Sequence, residues 1–144
     1  MQFRPHHVAL SVRDLPATIA FYRTFGFEPV FRMDDVDLSI VHLAGPDGAG
    51  IEVFHYPENE GAPRLQASPG NDMQQVGVKH VAFDVDDVHA VRAGLERAGH
   101  QVTEIRHGRA GVDYFFVTDP DGMWVEVLCD ERDLPADVTI ERER

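Results

Sequence analysis

The chain contains one cysteine, one lysine and no long apolar run, and each shortage excludes a class of protein. The single thiol, Cys129, cannot form a disulfide within the chain, which favours the reducing environment of the cytoplasm. No stretch approaches the run of about eighteen apolar residues that a membrane span needs. The opening residues, MQFRPHHVAL, lack the apolar segment of a secretion signal. The sequence therefore predicts a soluble cytoplasmic protein.

Positive charge is also scarce, since the formal net charge is −12. The arginines are scattered along the chain, and they form nothing like the basic patch that a phosphate backbone requires. Nucleic acid is therefore excluded as an expected partner. The acidic excess is instead typical of a solubilising surface.

What the sequence does contain is an internal repeat. A shift of 73 residues places His7 on His80, and a shift of 74 places Glu52 on Glu126 and one Pro-Asp-Gly turn on another. Self-similarity of this kind indicates a repeated structural unit. We interpret the chain as a tandem duplication with a one-residue insertion in its second half.

Each half has the periodicity of a strand, a helix and three further strands. The first strand ends near an aspartate suited to begin a helix, and the helix ends at a glycine. This order, written twice, predicts an α+β fold of two tandem βαβββ modules whose open sheet faces form a curved mixed-sheet cup. The predicted bounds are modules 5–56 and 78–129, linker 57–77 and charged tail 130–144, together one domain over 1–144.

Strand alternation predicts which side chains face the cup. In the first strand of each module, His7 and His80 lie on the face opposite the apolar residues. In the fourth strands, Glu52 and Glu126 likewise face away from the apolar side. Burying two carboxylates beside aromatic residues costs several kcal/mol unless a cation offsets their charge, and two neutral imidazoles supply none. The pattern therefore predicts a divalent metal between these four residues.

The segments HHVALSVRDL, AFYRTFGF, GIEVFHY, KHVAFDVDDV and TDPDGMWVEVL resemble the vicinal oxygen chelate superfamily, which includes glyoxalase I, extradiol dioxygenases and bleomycin-binding proteins. The resemblance implies paired βαβββ modules, a small-molecule substrate and a homodimer, with the site formed within one chain or between two. It also implies one divalent transition metal (Ni, Co, Zn, Mn or Fe). By position, its ligands are His7, Glu52, His80 and Glu126.

This ligand set is most similar to that of glyoxalase I, which implies a lyase or isomerase acting on a small oxygen-chelating metabolite through an enolate-like intermediate. The resemblance makes Glu126 the catalytic proton carrier and Glu52 its symmetry mate. Ser11 and Tyr56 stand where glutathione-using members carry arginine and asparagine, which leaves the thiol substrate open. Two alternatives also remain open: an Fe(II)-dependent dioxygenase, and a non-catalytic drug- or metabolite-binding protein of the antibiotic-resistance type.

Substrate contacts are expected from aromatic side chains and from cations near a glycine-rich loop. The aromatic residues suit an apolar or aromatic substrate body, and they are Phe54, Tyr56, Tyr114, Phe115 and Trp124. Arg109, with Arg106 and His107 nearby, is a candidate to bind an anionic group. We expect His42 to be a surface or strand-filling residue, and Cys129 to be a buried small hydrophobe.

Overall fold

The structure is a computed structural model that describes residues 2, 4–59, 68–74 and 76–132. Parts of the predicted linker and most of the predicted charged tail lie outside these described residues. The chain divides into two compact units. The first unit comprises Met1–Gln66 with Asp119–Met123, and the second comprises Ala67–Thr118 with Trp124–Arg144.

The first unit contains a four-stranded mixed sheet with one α-helix. Its elements are β1 (Val8–Ser11), α1 (Leu15–Arg23), β2 (Glu28–Asp34), β3 (Ser39–Ala44), a 3-10 turn (Pro46–Gly48) and β4 (Gly50–His55). The strand order is β1-β4-β3-β2, in which β1 pairs with β4 in parallel and the remaining pairs are antiparallel. The first and last strands of the module are therefore neighbours.

The second unit repeats this arrangement. Its elements are α2 (Pro69–Asp72), β5 (Val81–Asp84), α3 (Val88–Arg97), β6 (Arg106–His107), β7 (Asp113–Thr118) and β8 (Trp124–Cys129), and its sheet order is β5-β8-β7-β6. The predicted α+β class and its two β-α-β-β-β modules are confirmed. Two details differ. The second strand of this module shrinks to two residues, and the short helix α2 lies within the stretch predicted as linker.

Local sequence signals explain where the two longer helices begin and end. The side chains of Asp14 and Asp87 each accept a hydrogen bond, at 2.9 Å, from the backbone N–H three residues later. This is the N-cap contact that satisfies a donor left unpaired at a helix start. Shortly after each helix, Gly26 and Gly99 adopt positive φ values of 83° and 89°, which glycine tolerates and other residues rarely adopt.

Each sheet buries one face against its helix side and leaves the other face partly open. On β4, Ile51 and Val53 are buried, whereas Glu52 between them is half-buried. On β8, Val125 and Val127 are buried in the same way. None of the described helices is long and apolar enough to span a membrane. The predicted core face of each fourth strand is confirmed for Ile51, Val53, Val125 and Val127.

The second Pro-Asp-Gly segment does more than turn the chain. Asp119 and Asp121, which flank its proline, are both buried in the first unit. Arg13 donates from Nε to Oδ1 of Asp121 at 2.8 Å, and Tyr22 on α1 lies buried beside Asp119. Burial and the neighbouring carboxylates raise the pKa of the Tyr22 hydroxyl, and burial raises the pKa of Asp119. This segment therefore anchors α1 through polar contacts.

Candidate metal and substrate site

The first histidine–glutamate pair joins the two ends of the first module. Ala9 on β1 lies opposite Glu52 on β4, so His7, two residues before Ala9, shares the face of Glu52. Nε2 of His7 lies 3.3 Å from Oε2 of Glu52, and the glutamate side chain is 19% exposed. Nδ1 of His7 also contacts Nδ1 of His6 at 2.8 Å. The imidazole is therefore held at both of its nitrogens.

The second pair repeats this geometry in the other module. Ala82 lies opposite Glu126 in the parallel pairing of β5 with β8, and His80 precedes Ala82 by two residues. Nε2 of His80 lies 2.9 Å from Oε2 of Glu126, and both side chains are largely buried. The structure therefore places each of the two histidines beside the glutamate of its own module.

The donor atoms of each pair suit adjacent ligands of a transition metal. Imidazole nitrogen and carboxylate oxygen are common ligands of such ions. Ligand atoms about 2.1 Å from a metal lie about 2.9–3.4 Å from each other in octahedral or tetrahedral geometry. The N–O distances of 3.3 and 2.9 Å fall in that range. The two donor atoms of each pair are thus as far apart as two neighbouring ligands of one metal ion would be.

Across the described part of the chain, no group of three or more His, Cys, Asp or Glu side chains is placed to hold a metal ion. His42 approaches Glu52 as well, but it contacts Oε1 whereas His7 contacts Oε2. The two imidazoles therefore bind opposite oxygens of one carboxylate and do not converge on a common point. In the first module, His7 and Glu52 therefore form a pair, and His42 supports Glu52 through the other carboxylate oxygen.

His42 is the functional candidate that the sequence prediction missed. Its Nε2 lies 2.8 Å from Oε1 of Glu52, because β3 and β4 pair with these two residues directly opposite. Phe31 on β2 packs against the other side of its ring. The signal was present in the sequence, since Val41 and Leu43 are apolar and the residue between them must share the opposite face. His42 lies within a strand as expected, with its side chain 36% exposed, but it also contacts Glu52, which the sequence prediction did not include.

The second module has a phenylalanine where the first has His42. Phe116 lies directly opposite Glu126 in the pairing of β7 with β8, and it contacts the ring of His80 edge-on at 5.3 Å. Phenylalanine offers no hydrogen bond, so among the described residues Oε1 of Glu126 has no partner comparable to His42. Within this part of the chain the two carboxylates therefore differ: Glu52 is held at both oxygens, and Glu126 at one.

A cavity of about 400 Å³ lies in the second unit. Tyr114, Phe116 and Trp124 form its aromatic lining, with Arg106 and residues around α2 at its edge. Two of the predicted substrate contacts, Tyr114 and Trp124, are brought together here. Phe115 is not part of this wall, because it occupies the alternate face of β7 and is fully buried in the core.

The other predicted substrate contacts lie elsewhere in the described structure. Phe54 is on β4, on the same face as Glu52, and Tyr56 follows that strand and is exposed. Arg109 is exposed in the turn between β6 and β7 and lines none of the described cavities. His107 contacts Asp113 at 2.7 Å. Cys129 is partly exposed and not buried as predicted, because β8 ends there.

The comparison with protein families decides the chain's affiliation. The family model of the Glyoxalase/Bleomycin resistance protein/Dioxygenase superfamily matches residues 4–127. The chain belongs to this superfamily. The matched residues contain all of the first module, all but the last two residues of the second, and all four predicted metal ligands, so the resemblance inferred from the repeated strands is confirmed.

Two curated relatives and one solved structure are similar to this superfamily member. Glyoxylase I 4 of Arabidopsis thaliana is 29% identical over 129 residues, which cover 87% of this chain and 70% of the relative. The ethylmalonyl-CoA/methylmalonyl-CoA epimerase of Cereibacter sphaeroides is 34% identical over 105 residues, which cover 69% of this chain and 73% of the epimerase. The trypanothione-dependent glyoxalase I of Leishmania major has a TM-score of 0.68 at 23% identity, covering 89% of this chain and 87% of that one, and shows likeness in fold.

The relatives of this superfamily member bear the names of enzymes from two related groups. One is named Glyoxylase I 4 and the other an ethylmalonyl-CoA/methylmalonyl-CoA epimerase. Together with superfamily membership, these names support an enzyme of the glyoxalase or epimerase type. The two His–Glu pairs are the residues of this chain that suit the metal such enzymes use.

Proposed function

We propose that this superfamily member is a metal-dependent enzyme of the glyoxalase type, a lyase or isomerase that moves a proton next to a substrate oxygen. The observation that carries the proposal is the repeated His–Glu pair, with N–O distances of 3.3 and 2.9 Å at corresponding places in two modules. In each module the histidine and the glutamate come from different strands, and the pair recurs at the same register of the β1–β4 and β5–β8 pairings. The substrate class is a small metabolite with oxygens able to chelate a metal.

In this proposal His7, Glu52, His80 and Glu126 hold one divalent transition metal, which is Ni, Co, Zn, Mn or Fe. When bound, such an ion acts as a Lewis acid toward a substrate oxygen and lowers the cost of charge on it. The protein residues do the rest. The two imidazoles stay neutral as ligands, and the two carboxylates supply the compensating negative charge.

Glu126 is the proposed general base, and the contacts of the two glutamates support this assignment. Both oxygens of Glu52 are occupied, by His7 and by His42, so this carboxylate is fixed. Glu126 contacts His80 through Oε2, which leaves Oε1 available to take a proton from a substrate carbon and return it to the neighbouring carbon. The Glu126 side chain is largely buried, which limits its exposure to water.

The proposal predicts that the tag-free protein binds about one transition metal ion per chain by elemental analysis. It also predicts turnover of the glutathione–methylglyoxal hemithioacetal, or incorporation of solvent deuterium into a related hydroxy-carbonyl compound, with at least one of the five ions. If the protein retains none of these ions and binds none on titration, the enzyme is not metal-dependent and the proposal fails.

Two variants separate the role of base from that of ligand. Glu52→Gln and Glu126→Gln should each weaken metal binding by more than the about 10–100-fold typical of losing an outer-sphere partner. At saturating metal, E52Q should recover proton exchange, whereas E126Q should not, because the amide cannot accept the proton. Full recovery of exchange in E126Q at saturating metal would remove Glu126 from the role of base.

A second candidate is an epimerase, favoured by the 34% identity to the Cereibacter sphaeroides protein. Epimerisation needs the same proton transfer beside a carbonyl, so the same residues serve it. Solvent deuterium incorporation into methylmalonyl-CoA, measured beside the hemithioacetal, distinguishes the two.

Oxygen consumption with catechols and Fe(II) tests the dioxygenase alternative. Binding of an antibiotic without any of these activities would favour the sequestering type.

A further inference from the structure

The aromatic cavity of the second unit has features of a substrate subsite. Its volume of about 400 Å³ is within the range typical of small-molecule pockets. Tyr114 and Phe116 meet edge-to-face at 5.7 Å, and Phe116 meets Trp124 at 6.1 Å. The same Phe116 contacts His80, so the aromatic lining continues to the His80–Glu126 pair.

Arg106 supplies the cavity with a positive charge. Its register opposite Tyr114 places it on the same sheet face as the aromatic residues. In the described part of the chain, Arg106 makes no hydrogen bond or ion pair, although the chain has a formal net charge of −12. Glu104 also lies at the cavity edge, but its side chain is 88% exposed and is paired with Arg92 at 3.6 Å. Arg106 is thus the charge left to meet a ligand.

We propose that this cavity binds a flat aromatic group that carries a carboxylate. The ring packs against Tyr114, Phe116 and Trp124, and the carboxylate pairs with the guanidinium of Arg106. Planar rings gain edge-on and offset contacts with such a lining that saturated rings do not. A guanidinium matches a carboxylate through two parallel hydrogen bonds. The assignment of this ligand as the enzyme's substrate class rests on the proposed function, but the binding itself does not.

The chain provides its own reporter, because Trp124 is the only tryptophan and lines the cavity. Full-length protein labelled with ¹⁵N therefore gives one indole N–H resonance. We would titrate it with three matched compounds: 3-phenylpropanoate, 3-phenylpropan-1-ol and 3-cyclohexylpropanoate. They separate the effect of the charge from the effect of the ring. The titration is run on metal-free protein and again with a divalent ion.

The phenyl acid should shift the Trp124 indole resonance saturably. It should bind about tenfold tighter than the alcohol, because it adds a charge-assisted hydrogen bond. It should bind about threefold tighter than the cyclohexyl acid, because an aromatic contact is lost there. Arg106→Gln should reduce the acid to the affinity of the alcohol. Arg97→Gln, which removes an exposed arginine at the end of α3, is the matched control and should change neither affinity.

Three outcomes would overturn the proposal: an indole resonance that does not shift saturably, equal affinities for the acid and the alcohol, or unchanged preference in R106Q. Equal affinities for the phenyl and cyclohexyl acids would reject the aromatic part of the class. An unchanged amide spectrum of R106Q establishes that the variant is folded. Because the first titration needs no metal, its failure is distinct from failure of the metal proposal, which elemental analysis reveals.

Discussion

At the scale of single residues, His42 and Phe116 are the most informative difference between the modules. Each lies opposite the glutamate of its module, at 2.8 Å hydrogen-bond distance in one case and without a hydrogen bond in the other. His42→Phe gives the first module the residue of the second. We expect H42F to lower metal affinity about tenfold, since the proposed ligand Glu52 loses an outer-sphere partner. Isothermal titration with Zn or Ni measures this.

Two companions control for packing in that prediction. His42→Gln can still donate to the Glu52 carboxylate, and it should keep most of the affinity. Phe31→Leu alters the apolar side of the His42 ring and leaves the hydrogen bond in place, so its metal affinity should stay near that of the unchanged protein. A loss in H42Q as large as that in H42F would show that His42 does not act through the hydrogen bond.

Single residues also show which contacts can be predicted from the alternation of side chains along a strand and which cannot. Period-two alternation and the duplication predicted that His7 shares a face with Glu52 and His80 with Glu126, whereas their side-by-side contact depends on the parallel pairing of the first and fourth strands. The His42 contact needed the register between β3 and β4, which the 3-10 turn Pro46–Gly48 sets and alternation does not. The exchange of Phe115 for Phe116 in the aromatic wall has the same origin, because one step along a strand changes the face.

At the scale of elements, the helix starts were predictable from single aspartates. Asp87→Ala removes the acceptor for the backbone N–H of Ala90 at the start of α3. We expect the free energy of unfolding to fall by about 1 kcal/mol, the typical cost of losing an N-cap. Urea denaturation followed by circular dichroism measures the change. Asp14→Ala should behave alike in α1, whose N-cap contact has the same length.

Serine is the control for both caps, because its hydroxyl also accepts the N–H bond. D87S should lose less than half as much stability as D87A. Equal losses in the two variants would mean that the charge or packing of Asp87 matters more than its cap.

The strand β6 was less predictable than the helices. The run QVTEIRH has strand character, but only Arg106 and His107 pair with β7, apart from a bridge between Val102 and Val117.

At the scale of the whole molecule, we propose a homodimer. The superfamily resemblance supports this, and exposed apolar residues on β2, Val30 and Phe31, are available for an interface. Native mass spectrometry should give twice the 16.1 kDa of the chain. Val30→Glu should shift the protein toward monomer, whereas Arg97→Gln should not. A monomeric mass for the unchanged protein at micromolar concentration would contradict the proposal.

The sequence predicted the duplicated architecture because both copies retain the same strand, cap and turn residues. It did not predict which arginine enters the aromatic cavity. Arg106 and Arg109 lie three residues apart, and the choice depends on where β6 ends and its turn begins. Such end points are set by tertiary packing and not by local preference.

The parallel pairing of β1 with β4 also has a consequence for how the protein folds. His7 and Glu52 are neighbours in space although most of a module separates them in the chain, and His80 and Glu126 repeat this separation. Contacts between such distant residues require the closure of a long loop, whose entropy must be lost before the contact forms. A module can therefore form its His–Glu pair only once its first and last strands have paired. A metal ion bound by these residues would stabilise a module that has already folded. Metal binding would therefore be the last step of folding.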